Sequence, residues 1–432
     1  MKRAVRRRVE LLVELLIATV AALCFTVACT ARSSPEATLE GRAVLPADTF
    51  AQGPPSGSEL GDEINGRSLP FDHQPVEGIS AVLDAAGNDG TYWAMCDNGY
   101  GTKENSADFL LRMYRLRPNF ETASGGRGSI SVEGFVQLSD PNHHVPFKIT
   151  NEDTKARFLT GADFDIESVR RDDQGTLWFG DEFGPFLLHT NPNGRVLEAP
   201  IPLEGVKSPD NPTLEPKDEA TLPASMGFEG MAISEDGRHL YPMLEGALKN
   251  DPKERRRFIY EFDLRSGSVT GKKWWYRTEA PEYFIGDLTA LSRSRFLVIE
   301  RDGEQGKEAR FKRVYLVDLH HTDANGFLVK REILDLLSIR DPKLISEPGR
   351  KGDIGIGNPF AFPFRNPESL LPLQGTRLLV LNDNNYPIST ISTGRNPDRP
   401  DDTEAIIVSA HALQNVPGSQ NPGCGSARNA CR

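Results

Sequence analysis

Carboxylates recur at matched places along this chain. In "GFEGMAISEDGRHLYPMLEG" (227–246), Glu229 opens an apolar run, a Gly-centred turn follows, and a second apolar run ends on Glu245. Three other stretches repeat the design: "VEGISAVLDAAGNDGTYWAMCDNG" from Val76, "IESVRRDDQGTLWFGDEFG" from Ile166 and "PESLLPLQGTRLLVLNDNN" from Pro367. A fifth, "GDLTALSRSRFLVIERDG" (286–303), has Asp287 in the Glu position and no turn glycine. The first residue of one strand and the last of the next lie at the same end of an antiparallel hairpin. Each hairpin therefore places its acids on one rim: Glu77 with Asp97, Glu167 with Asp181 and Glu182, Glu229 with Glu245, Asp287 with Glu300, and Glu368 with Asp383.

Like charges crowded into a partly buried site repel and raise one another's pKa. A hard cation such as Ca²⁺ resolves that conflict, because it binds oxygen ligands from Asp, Glu, amides and water. The expected ligands are Glu77, Asp97, Glu167, Glu229, Glu245, Asp287, Glu300 and Glu368, with Asp181, Glu182 and Asp383 as further ligands or the proton acceptor. Asn98, Asn384 and Asn385 offer amide oxygens beside them. Lys103 in "DNGYGTKENSADF" and Arg301 in "IERDG" are placed to hold an anionic substrate oxygen. Turn capping accounts for a single Asp or Asn at a strand end, but not for an acid that recurs ahead of a strand.

Other chemistries find little support in the sequence. It contains no G-x-S-x-G elbow, P-loop, dinucleotide fingerprint, C-x-x-C or H-x-x-x-H pair, and His143-His144 reads as a loop pair. The formal net charge of −11 repels nucleic acid and attracts cations. "KERRR" (253–257) is a local basic exception that reads as a solvated loop or a contact for an anionic substrate.

The elements that position these acids are strands. Each copy is followed by a further strand-like run, "FLLRMYRL", "FLLHTNP", "FIYEFDL", "RVYLVDL" and "AIIVSAH". A unit of at least three strands recurring at long intervals marks an all-β chain of β-propeller type. The wide gaps between Glu77 and Glu167 and between Asp287 and Glu368, with strand character in "GRGSISVEGFVQLSD" (126–140), favour six blades, five and seven remaining open.

Domain bounds follow from composition. Residues 1–28, a basic start followed by an uncharged apolar stretch, read as an export signal. Val27-Ala28-Cys29 resembles the end of a bacterial lipobox, which leaves a lipidated Cys29 and ordinary cleavage as two routes. Residues 29–70 read as a flexible linker, 71–415 as the propeller and 416–432 as a tail in which Cys424 and Cys431 could pair once exported. Cys96 reads as a buried small residue. The expected partner is a small anionic or ester substrate; nucleic acid is not expected, membrane contact runs only through the N-terminal signal or lipid, and the chain is expected to be a monomer.

"DIESVRRDDQGTLWFGDEFGPFLLHTNPNGRVL", "GFEGMAISEDGRHLYPMLEG" and "NPESLLPLQGTRLLVLNDNN" resemble the esterase-like phytase family, exported bacterial proteins with a phytase-like β-propeller. The resemblance covers roughly residues 71–415. It implies ester or phosphoester hydrolysis at an acidic channel mouth that binds Ca²⁺ ions and metal-bridged phosphate, with Glu229 and Glu245 matching by motif position. The Asp-Ala-Ala-Asp-Asp-Pro signature of better-studied members is absent, which argues against phytate as the substrate. Three functions stand at this level: a Ca²⁺-dependent hydrolase, a non-catalytic binding propeller with structural metal, and a lactonase-like propeller.

Overall fold

The computed structural model describes residues 35–85, 89–388 and 393–417. The leader expected over 1–28, Cys29 and the Cys424–Cys431 pair lie outside them. Short apolar runs bounded by turns build five four-stranded antiparallel blades, of which the first and the fifth run on as one eight-stranded sheet through a parallel pairing of Val44 with Ser129. Blade 1 holds Ile79–Asp84, Tyr92–Cys96, Arg112–Asn119 and Ser129–Gln137, and blade 2 holds Ile166–Arg171, Leu177–Asp181, Phe186–Thr190 and Ile201–Pro202. Blade 3 is Phe228–Ile233, His239–Leu244, Arg256–Asp263 and Ser268–Arg277; blade 4 is Phe284–Ala290, Arg295–Arg301, Lys312–Thr322 and Leu328–Asp335. Blade 5 takes Asn366–Pro372, Arg377–Asp383 and Thr403–Ala410 from the C-terminal side and Ala37–Leu45 from the N-terminal side. The first strand of each blade packs on that of the next and the fifth packs back on the first, so the ring closes as a β-propeller.

Burial falls from the inside of each blade outward. The inner strands are largely buried on both faces, as in "ISAVLD", where every residue except Asp84 is buried, whereas much of the outermost "SVTGKKWWYR" is exposed. Apolar layers fill the spaces between sheets: Leu83, Met95, Val169 and Phe179 between blades 1 and 2, and Met243, Ile259, Ile285 and Val298 between blades 3 and 4. Removing that area from water is the main force holding sheet on sheet.

Two expectations are corrected here. Among the described residues the blades number five, not six. The segments 138–165 and 336–365, which suggested hidden blades, are loops between blades, and "SISVEGFVQ" is the outermost strand of blade 1. Residues 29–70 are not a tether throughout. Ala37–Leu45 pairs along its length with Thr403–Ala410, alternating buried and half-buried residues as a half-covered strand requires. Arg42 on that strand bonds Glu404 at 2.7 Å, and Arg395 bonds the other oxygen of Glu404 at 2.7 Å, so a buried ion triad fastens the closure.

Candidate functional site

The same local device begins every inner strand: a register shift that inserts an extra residue. The shifts fall between Ile79 and Ala81, Ile166 and Ser168, Phe228 and Met231, Ile285 and Asp287, and Pro367 and Ser369. A bulge turns its extra residue out of the pleat. At this place the blades carry Ser80, Glu167, Glu229 with Gly230, Gly286 and Glu368. Oxygen atoms of Glu167, Glu229 and Glu368 all lie within 4.8 Å of one another.

A second tier comes from the following strand. The N–H of Asp97 donates to Gly78 O, that of Glu182 to Asp165 O, and that of Glu245 to Gly227 O; Arg301 pairs in register with Phe284, and Asp383 with Asn366. Asp97, Glu182, Glu245, Arg301 and Asp383 are therefore equivalent residues of blades 1 to 5. Two further sets of carboxylate oxygens lie within 4.8 Å, Asp165–Glu167–Glu182 and Glu182–Glu229–Glu245. With the first set they interlock through Glu167, Glu182 and Glu229. Asp97 and Glu167 are partly exposed while Asp165, Glu182, Glu229, Glu245, Glu368 and Asp383 are buried, so the cluster opens on the side of blades 1 and 2.

Electrostatics follow from burial. Desolvation, then the neighbouring carboxylates, pushes Glu167, Glu182 and Glu229 well above the usual carboxylate range. Burial also raises Asp97 and Asp383 well above that range, and brings Asp165 up to about 7. Glu245 reaches only about 7, because Arg301 offsets its burial. Burial disfavours the Arg301 charge, yet Glu368 and Glu245 outweigh it and hold the guanidinium above its ordinary value. Its Nη2 lies 2.8 Å from Glu368 Oε1 and 3.1 Å from Glu245 Oε1, with the guanidinium over the Phe284 ring. Asp165 Oδ1, Glu182 Oε1 and Glu229 Oε1 are buried without a hydrogen-bond partner. Burying a carboxylate oxygen unpaired is costly, a cost that a cation held by these oxygens would relieve. The donor set is all oxygen, which fits Ca²⁺ or Mg²⁺ and not a thiolate- or imidazole-bound metal.

Several expected residues sit elsewhere. Glu77 precedes the blade 1 bulge by three positions; it is fully buried, both its oxygens are unpaired, and it faces the charges of Asp97 and Asp383. Asp287 follows the blade 4 bulge and is taken up by Arg170 of blade 2 at 3.0 Å and by the N–H groups of Leu370 and Leu288. Glu300 points away from the cluster, bonding Tyr276 Oη and Lys330 Nζ, each at 2.6 Å; the expected site position belongs to its neighbour Arg301. Asp181 caps a turn, its two oxygens accepting the N–H groups of Asp165 and Gly184, so Glu182 is the residue that joins the cluster. Asp383 reaches the second tier, and its oxygens accept from Asn385 and Asn366. Lys103 Nζ bonds the Asp210 carbonyl and lies 4.4 Å over the Phe183 ring, outside the carboxylate sets. Asn384 Oδ1 accepts the Gly78 N–H, and Asn98 Oδ1 accepts that of Gly101. Cys96 is buried and free. Asp165 was not expected; the signal for it was an acid one residue ahead of an inner strand in "DFDIES".

A family model described as phytase-like, with esterase-like activity of phytase, matches residues 74–386. A secreted protein of Arthroderma benhamiae is 24% identical over 187 residues, a match covering 34% of this chain and only 36% of that relative's length. A luciferin-regenerating enzyme superposes with a TM-score of 0.38 at 12% identity, over 87% of this chain and 95% of that one. Regucalcin from Agrobacterium tumefaciens, a calcium-binding protein, does so with a TM-score of 0.37 at 14% identity, over 77% and 92%.

Proposed function

The chain belongs to the phytase-like family, and from that premise we propose that it is an exported, divalent-cation-dependent hydrolase of phosphoesters or carboxylic esters, with Ca²⁺ the favoured ion. The observation that carries this reading is the interlocking of three carboxylate sets around buried, unpartnered oxygens. Asp165, Glu167, Glu182 and Glu229 are the residues that would hold the ion. When bound, such an ion polarises a phosphoryl or carbonyl oxygen and lowers the pKa of water.

The remaining work falls to the chain itself. Arg301, pinned between two carboxylates, keeps part of the cluster neutral without a mobile ion. Asp97 stands at the opening, and its Oδ1 accepts the Gly99 N–H at 2.8 Å. Oδ2 is then the oxygen left to take a proton from an attacking water. Entry from the side of blades 1 and 2 suits a small anionic or ester substrate, and an acidic mouth disfavours nucleic acid. Export, by a cleaved or lipidated leader, agrees with the secreted relative, and a single chain suffices to build the site.

The test is hydrolysis of p-nitrophenyl phosphate, p-nitrophenyl acetate and a lactone by the full chain, with Ca²⁺ and with chelator, beside Glu229→Gln. Ca²⁺-dependent turnover of an ester that Glu229→Gln abolishes supports the reading. Turnover of the lactone alone moves it to a lactonase. No turnover, with chelator only lowering the melting temperature, leaves a binding propeller with structural metal.

A further inference from the structure

Blade 4 breaks the repeat twice, and both breaks act in the same direction. At the bulge, where blades 2, 3 and 5 present glutamates, it has Gly286; at the end of the second strand, where the other four blades present a carboxylate, it has Arg301. The blade contributes no acid to either tier and supplies the cation that bridges Glu245 and Glu368. Each of those glutamates belongs to one of the interlocking sets, and the third set, Asp165–Glu167–Glu182, touches neither. The unpartnered oxygens of Asp165, Glu182 and Glu229 lie in the sets, whereas Glu245 and Glu368 have Arg301. Glu368 is compensated further, its Oε2 accepting from Ser80 Oγ at 3.3 Å.

Geometry makes this arginine a fixed charge. Both its carboxylate contacts use Nη2, its side chain is almost wholly buried, and its guanidinium lies over Phe284, 5.1 Å from the ring centroid. A guanidinium so held resists replacement, since removing it would leave two buried carboxylates facing each other.

We propose that Arg301 is a built-in counter-cation: it fills the place between blades 3, 4 and 5 that a divalent ion would otherwise occupy. The exchangeable ion is thereby confined to Asp165, Glu167, Glu182 and Glu229 on the side of blades 1 and 2. This rests on the cation-dependent reading above and adds to it a location and a limit on the number of ions.

Calorimetric titration of Ca²⁺ into chelator-stripped full-length chain tests it, alongside melting curves. Arg301→Met is expected to bind one more equivalent of Ca²⁺ than the wild type and to melt lower without Ca²⁺, recovering with it. Asp165→Asn is expected to weaken the wild-type site by about tenfold or more, the scale of loss for a disturbed metal site. Arg301→Lys keeps the charge and should keep the wild-type number of ions, which gives a second reading if Arg301→Met does not fold. If Arg301→Met binds no additional ion, or Arg301→Lys gains one as readily, the counter-cation proposal is overturned while the cation-dependent reading stands. If the wild type takes up no Ca²⁺ and Arg301→Met takes one, Arg301 fills the only seat, and the cation-dependent reading falls together with the exchangeable site placed on Asp165, Glu167, Glu182 and Glu229. Uptake by neither overturns both.

Discussion

Gly286 and Pro367 meet across the boundary of blades 4 and 5 so closely that a β-carbon on Gly286 would lie 2.3 Å from the Pro367 carbonyl oxygen. Pro367 directly precedes Glu368, so the gap that excludes a side chain from blade 4 also sets the backbone that carries a site glutamate. Gly286→Ala must push two inner strands apart. Its expected cost is about 1–3 kcal/mol, the usual range for an overpacked site, read as a lower urea midpoint with an unchanged m-value. A midpoint within error of the wild type would mean that this contact relaxes freely.

Charge crowding in the cluster predicts opposite effects with and without cation. Glu229 is held well above its ordinary pKa by burial and then by Glu245 and Glu368, so in the cation-free chain an ionised Glu229 opposes folding. Glu229→Gln removes that charge at nearly constant shape. Its cation-free melting temperature at pH 8 is expected to rise by a few degrees, on the order of 1 kcal/mol. On the proposed reading Ca²⁺ binds only the folded state and so stabilises the wild type; it should then raise the variant's melting temperature much less. An unchanged response to Ca²⁺ would remove Glu229 from the ion's reach.

The cluster was legible in the sequence where the repeat keeps its register, and not where the count from acid to bulge differs, by three residues at Glu77 and by one at Asp287. Glu167, Glu229 and Glu368 recur in like contexts and share the bulge. The pattern of an acid, then a small or apolar residue, matches Glu77 and Asp287 to them; but the bulge counts from Ile79 and Ile285, which puts Ser80 and Gly286 in their place. Alternation along a strand makes the same one-residue error at Glu300, which faces Lys330 while Arg301 faces the site. Ala37–Leu45 is hidden in the sequence because "ATLEGRAVL" carries Glu and Arg on its half-covered face, and its partner strand lies at the far end of the chain. Blade number could not be read from spacing, since a loop and a hidden hairpin of equal length look alike until their backbone is paired.

Arg170 joins blades 2 and 4 across the interior. Its Nη2 bonds Asp287 Oδ1 at 3.0 Å and the Leu288 carbonyl at 2.8 Å, with both side chains buried. Arg170→Met strands a buried carboxylate already raised to about 6 by desolvation. Losing one partner of such a pair costs about 3–5 kcal/mol. Asp287→Asn in the same chain should recover part of that loss, because the uncompensated charge is gone. A urea-unfolding double-mutant cycle measures the coupling; additive effects would show that the two residues act independently.

The closure of the ring carries its own acid sensitivity. Glu404 is fully buried, and although burial alone would raise its pKa, Arg395 and Arg42 together lower it to about 2 from an ordinary 4.5. The unfolded chain therefore binds a proton at higher pH than the folded chain. The stabilisation is fully present above about pH 4.5 and is lost as pH falls from there towards 2, the full difference being on the order of 3 kcal/mol. Most site carboxylates have raised pKa values and respond in the opposite sense, so the comparison must be with Glu404→Gln, which keeps the other groups. At pH 7 the variant should unfold at a lower urea concentration than the wild type, with Arg42 and Arg395 left facing an amide. Between pH 4.5 and 3 the gap between the two should narrow steadily. A gap that stays constant through that window would mean that Glu404 does not hold the N-terminal strand through its charge.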